Sequence, residues 1–148
     1  MKYILVILTF VSSPVFAQND KAAVKAAVNR LFDGMKKSDT TLIRSAFASE
    51  GILQTVVKNS EGKTRVITEP LDSFLVSIAR PHTGIYDERI RFDVIKIDGD
   101  LAIAWTPYKF YVGDKFSHCG VNSFQLVRLN GEWRIQYIID TRRRQECE

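Results

Sequence analysis

The chain has little of what usually anchors a catalytic or scaffolded small protein: two cysteines, two histidines, two methionines, four prolines and eight glycines in 148 residues. With only His82 and His118, and no compact His, Cys, Asp or Glu grouping, no metal site is expected. No phosphate-cradling glycine-rich loop and no Gly-x-Ser-x-Gly elbow is present, which removes the common nucleotide-binding and serine-hydrolase signatures. No internal repeat or linker divides the chain. The net charge is +4, a basic excess too modest to indicate nucleic acid.

What is present begins at the N-terminus. Met1, Lys2 and Tyr3 precede an apolar run from Ile4 to Val11, then Ser12, Ser13, Pro14, Val15, Phe16 and Ala17. A basic start, an apolar stretch too short to span a bilayer and a small residue at the cut position are the marks of a secretory signal. Cleavage is expected after Ala17, the competing reading being an uncleaved anchor. The expectation is therefore a periplasmic or secreted protein, residues 18–148 forming one domain with no stable membrane insertion. No cysteine stands at the cut to carry a lipid. Losing Lys2 lowers the formal charge to +3.

Export bears on Cys119 and Cys147, because an oxidising compartment favours a bridge between an even pair; a reactive thiol is the alternative. Adjacent His118 and Cys119 do not form a nucleophilic dyad in a strand, where neighbours point to opposite faces. The basic run Arg142, Arg143, Arg144 reads as a solvated tail or as an anion-binding patch.

Apolar residues Val24, Ala27, Val28, Leu31, Phe32 and Met35 recur at helical spacing between Asp20 and Lys37, with Asn19 or Asp20 as cap. A second helix carries Leu42, Ile43, Ala46 and Phe47 and is ended by Gly51. Ile52–Lys58 and Lys63–Thr68 make a hairpin about Asn59–Gly62, and Pro70 opens a third helix with Leu71, Phe74, Leu75 and Ile78. Past the Pro81–Gly84 loop, strands are expected at Glu88–Ile97, Leu101–Val112, Lys115–Leu129 and Glu132–Asp140, turning at Asp98-Gly99, Gly113-Asp114 and Asn130-Gly131. The fold class is α+β, three helices packed on one face of a curved antiparallel sheet of about six strands.

Two-residue turns place Lys109 opposite His118, Trp105 opposite Asn122, Ile103 and Tyr137 opposite Phe124, Ile135 opposite Leu126 and Ile139 opposite Asn122. One face then collects Ile103, Trp105, Tyr111, Phe116, His118, Asn122, Phe124, Leu126, Trp133, Ile135, Tyr137 and Ile139. The other receives Thr106, Tyr108, Cys119, Ser123, Gln125, Arg134 and Gln136, suited to solvent or a subunit contact. His118 and Asn122 are polar exceptions on an aromatic face, satisfied either by backbone or in a ligand pocket. Trp105, Tyr111 and Tyr137 join them as candidate pocket wall or serve as core. Asp140 and Asp93 are candidate acid–base groups, or carboxylates paired with Arg142 and Arg91.

The segments Trp105–Tyr111, Phe116–Leu126 with its His-Cys-Gly, Gly131–Ile135 and Asp140-Thr141-Arg142-Arg143 resemble the putative lumazine-binding group of the nuclear transport factor 2-like superfamily. The resemblance implies a cystatin-like cone of curved sheet around helices, with an interior pocket and frequent homodimers. The superfamily includes ketosteroid isomerase, scytalone dehydratase, polyketide cyclases and non-catalytic members. The functional expectation is an exported domain binding a small apolar or aromatic molecule, with no cofactor. An isomerase, dehydratase or cyclase and a dimerisation module are the alternatives.

Overall fold

A computed structural model of the chain describes residues 15–147. The order is α1 (Val15–Lys37), α2 (Thr40–Ala46), β1 (Phe47–Lys58), β2 (Thr64–Pro70), α3 (Leu71–Ala79), β3 (Tyr86–Ile90), β4 (Val94–Asp98), β5 (Leu101–Val112), β6 (Lys115–Leu129) and β7 (Glu132–Thr141). The sheet runs β2-β1-β7-β6-β5-β3, with β4 also paired to β5. Every pairing is antiparallel except β1 with β7. This is the expected α+β layout with one parallel join.

The helical stripe is the core of the cone. The six stripe residues of α1, Val24, Ala27, Val28, Leu31, Phe32 and Met35, are all buried, against Phe124, Leu126, Trp133 and Ile135 on the inner sheet face. Each larger side chain so buried stabilises the fold by roughly 1.5–3 kcal/mol. Residues 1–14 of the expected export segment lie outside the described residues. The helix itself runs back through the expected cleavage position to Val15, so neither Asn19 nor Asp20 caps it. Asp20 instead pairs with Arg128 at 2.7 Å. Among the described residues no helix is long and apolar enough to cross a membrane.

Three boundaries differ from expectation. Helix α2 is capped by Asp39, which accepts from the Leu42 amide at 2.9 Å, and it ends at Ala46. Phe47 is already extended, and Gly51 lies in an irregularity where pairing with β7 jumps from Phe47↔Ile135 to Ile52↔Tyr137. The expected strand Glu88–Ile97 is broken into β3 and β4. Pro107 explains the break: its carbonyl accepts from the Arg91 amide at 3.0 Å, so the proline's missing N–H faces that same neighbour and a ladder bond is lost. The β4–β5 turn is Gly99-Asp100, since Asp98 pairs with Leu101. The turns at Gly113-Asp114 and Asn130-Gly131 are two-residue turns as expected.

The largest correction is register. The β5–β6 hairpin holds as far as Tyr111↔Phe116, then Phe110 pairs with His118 and Ser117 is left over. Between β6 and β7, Leu126 pairs with Ile135 but Gln125 pairs with Tyr137, leaving Gln136 over. Each irregularity shifts the neighbouring strand by one residue, and one residue reverses its faces. The inward residues of β5 are thus Ala102, Ala104, Thr106 and Tyr108, all buried, while Trp105 is 47% exposed on the outer face with Ile103. Tyr111 and Phe116 stack edge-on outside the cone at 5.7 Å, with Arg89 over the Tyr111 ring. On β7, Ile138 and Asp140 are buried, and Tyr137 and Ile139 take the opposite face.

Candidate functional site

The same shifts assemble a transverse polar row. Thr106 pairs with Asn122, Asn122 with Asp140 and Asp140 with Thr55, so four strands bring one side chain each to the same level of the inner face. Beyond that row the inner face carries Tyr108 on β5 and His118 on β6, with Glu88 approaching from β3. Opposite them are Leu31, Phe32 and Met35 of α1 and Phe74 of α3. Between the two walls lies a cavity of about 90 Å³, room for several waters or a compact ligand. It is continuous in lining with an outer lobe whose walls add Tyr86 and Phe110 and share Glu69, Glu88, His118 and Arg142.

Asp140 is the hub. Its Oδ1 accepts from Thr55 Oγ1 at 2.5 Å, and its Oδ2 from Tyr108 Oη at 3.1 Å and Arg142 Nε at 2.9 Å. Arg142 also donates to Thr55 Oγ1 at 3.1 Å, and Tyr108 to the Thr141 carbonyl at 2.9 Å. These donors satisfy both oxygens of a buried carboxyl group. The salt-bridge reading of Asp140 is therefore the one observed, and it holds within the pocket wall. Asp93 pairs with Arg91 at 2.6 Å on the surface, away from the cavity.

Glu88 is differently placed. Its Oε1 accepts from Asn122 Nδ2 at 2.8 Å. Burial pushes its carboxyl up to about 7; Asp140 adds to the rise, while the Asn122 hydrogen bond and Arg142 oppose it. Burial also holds the His118 imidazole below its ordinary value, with Arg142 acting in the same direction, and raises the Tyr108 phenol. His118 Nδ1 lies 3.0 Å from Ser117 Oγ, and its ring packs against Phe110 and Tyr108. Neither His118 nor Asn122 is satisfied by backbone.

Glu88 makes stability depend on pH. At pH well below 4.5 it is protonated in both states and contributes nothing. As pH rises, the unfolded chain ionises first, and stability falls by up to roughly 3 kcal/mol until the folded carboxyl ionises near 7. Glu88→Gln is expected to flatten this decline, checked by urea unfolding near pH 4 and pH 8. An unchanged decline would place the titration elsewhere.

Of the sequence-predicted site residues, His118 and Asn122 line the cavity, and Trp105, Tyr111 and Tyr137 do not. Tyr137 turns to Gln54, donating at 2.6 Å. Glu88, Tyr108 and Arg142 were not among the candidates; Tyr108 falls on the wrong face unless the extra Ser117 is counted. Cys119 and Cys147 are bridged, with Cα atoms 5.8 Å apart. The bond ties residue 147 back to β6, where Arg143 and Cys119 exchange two backbone hydrogen bonds of 2.8 Å. Arg142 is thereby held at the cavity mouth. Among the described residues no three His, Cys, Asp or Glu side chains converge as a metal site requires.

Helices enclosed by a curved sheet, with a polar cluster inside, define a nuclear transport factor 2-like, cystatin-like domain. The chain belongs to the family described as Putative lumazine-binding, whose model matches residues 19–137. No curated protein matches it. Its structure is similar to an NTF2-like protein of unknown function from Shewanella baltica, 18% identical, covering 93% of this chain and 98% of that one with a TM-score of 0.66. A Mycobacterium tuberculosis protein of unknown function is 18% identical, covering 92% and 79%, with a TM-score of 0.71. An NTF2-like protein from Streptomyces avermitilis described as a putative dehydratase is 15% identical, covering 86% and 98%, with a TM-score of 0.64. At these identities the likeness is one of fold.

Proposed function

We propose that this domain binds a small organic molecule inside the cone. The observation that carries the reading is a cavity with an apolar helical wall facing a cluster of ionisable and amide groups, the mixed lining of a ligand site. His118 and Asn122 are polar contacts in this reading, joined by Glu88 and Tyr108. Leu31, Phe32, Phe74 and Phe124 supply the apolar surface. Native mass spectrometry of the protein purified from its producing cell, before and after denaturation, tests it. The expected result is a co-purifying small mass lost on denaturation. A protein empty from that cell, and unresponsive to a small-molecule library, would overturn it.

Glu88 favours a second reading, acid–base catalysis of the isomerase, dehydratase or cyclase kind. A carboxyl that titrates near 7 inside a cavity can take and return a proton at neutral pH. His118, also a cavity residue, is kept neutral and can act as its partner. Incubating the recovered ligand with protein in heavy water would show deuterium entering a C–H position, and Glu88→Gln would stop it. No incorporation would leave binding as the function.

A further inference from the structure

The cavity's polar groups can be sorted by the hydrogen-bonding capacity the protein leaves unused. Asp140 accepts three hydrogen bonds, from Thr55, Tyr108 and Arg142, and both its oxygens are engaged. Arg142 directs two of its nitrogens at Asp140 and Thr55, and Tyr108 gives its proton to Asp140 and the Thr141 carbonyl. Asn122, only 5% exposed, donates Nδ2 to Glu88, and its Oδ1 has no hydrogen-bond partner among the described residues. Among those residues the second Glu88 oxygen likewise has none, and Glu69 makes neither an ion pair nor a side-chain hydrogen bond. The donors left at the cavity are the second Nδ2 hydrogen of Asn122 and the remaining Arg142 nitrogen, while the His118 nitrogen not facing Ser117 donates or accepts according to its tautomer.

Charge points the same way. Glu69, Glu88 and Asp140 line the cavity against a single guanidinium, which is already paired with Asp140. Glu69 and Glu88 recur in the outer lobe beside the rings of Phe74, Tyr86 and Phe110. Carboxyl groups outside any ion pair among the described residues, next to aromatic rings, make a surface that attracts positive charge.

We infer that the ligand is a small organic cation, a protonated amine or amidine on an apolar or aromatic body. Its N–H groups lie on the free oxygens of Glu88 and Asn122, with Glu69 at the mouth, and its body lies against Phe74 and Phe124. The inference rests on the small-molecule reading above and gives that reading a chemical class. Neutral His118 adds no opposing charge.

The test is a charge series of similar shape, titrated into the oxidised full-length chain near pH 8 and followed by amide NMR shifts. Phenethylamine and benzamidine are the cations, 2-phenylethanol the neutral probe and 3-phenylpropionate the anion. The expected result is shifts centred on Glu88, His118 and Asn122, with the cations binding at least tenfold more tightly than the alcohol and the anion not binding. Glu88→Gln should weaken the amine tenfold or more. If that variant does not fold, Glu69→Gln at the mouth is expected to weaken it several-fold. Equal or tighter binding of the alcohol or the anion would overturn the cationic class while leaving the pocket intact. Amine binding indifferent to both substitutions, or no binding by either cation, would overturn it as well. The small-molecule reading is judged separately, by what the native protein carries.

Discussion

Gly120→Ala is expected to cost the fold about 4 kcal/mol or more, enough to unfold much of the protein at moderate temperature. A Cβ on residue 120 would stand 1.7 Å from the Thr141 carbonyl oxygen and 2.9 Å from Cε1 of Tyr108. The first is backbone, so no rotamer relieves the clash. The strand end carrying Thr141 must move, and Tyr108 donates to that same carbonyl. Gly131→Ala is the comparison: φ there is +82°, but no atom lies within 4 Å of an added Cβ, so only backbone strain of about 1 kcal/mol is expected. Urea unfolding of both variants decides the matter. A Gly120→Ala protein no weaker than the Gly131 variant would mean that Thr141 does not pack against β6 in this way.

Loss of the Cys119–Cys147 bridge is the second large effect. For a separation of 28 residues, the chain-entropy estimate is roughly 3.5 kcal/mol. The measurement compares unfolding of the oxidised protein with that of a Cys119→Ala/Cys147→Ala double variant, so no stray thiol remains. Cys119 is 2% exposed, and the smaller alanine leaves only a modest void there. A difference below about 1 kcal/mol would show that the ladder from Arg143 to Cys119 holds the tail without the bond.

How far the site was legible turns on two residues, Ser117 and Gln136. Alternation along β6 puts His118, Asn122, Phe124 and Leu126 on one face, since period-2 alternation needs no partner strand. The faces of its neighbours follow only by counting from tight turns, and each count fails at an extra residue. Neither Ser117 nor Gln136 is a glycine or proline, so nothing in residue type marks the insertion. The slip carried Trp105, Tyr111 and Tyr137 into the expected pocket and left Tyr108 out. Pro107, by contrast, did carry its signal: a proline in a long strand next to an expected partner is a reason to expect a break.

Helix α1 was legible to the residue on its buried face, since a 3.6-residue period over many turns tolerates no alternative. The cysteine pair was legible from parity and expected compartment. The pairing of Arg142 with Asp140 was legible from their nearness in sequence, but the place of that pair at a cavity was not, because three consecutive arginines read as a solvated tail or anion-binding patch.

A practical consequence follows from how the tail is fastened. The segment after Thr141 serves as a structural seam: it carries Arg142 over the opening and is stitched down at Cys147. Production in a reducing host would leave the seam unsewn, with the two backbone hydrogen bonds between Arg143 and Cys119 left to fasten the segment. An oxidising host keeps the seam closed.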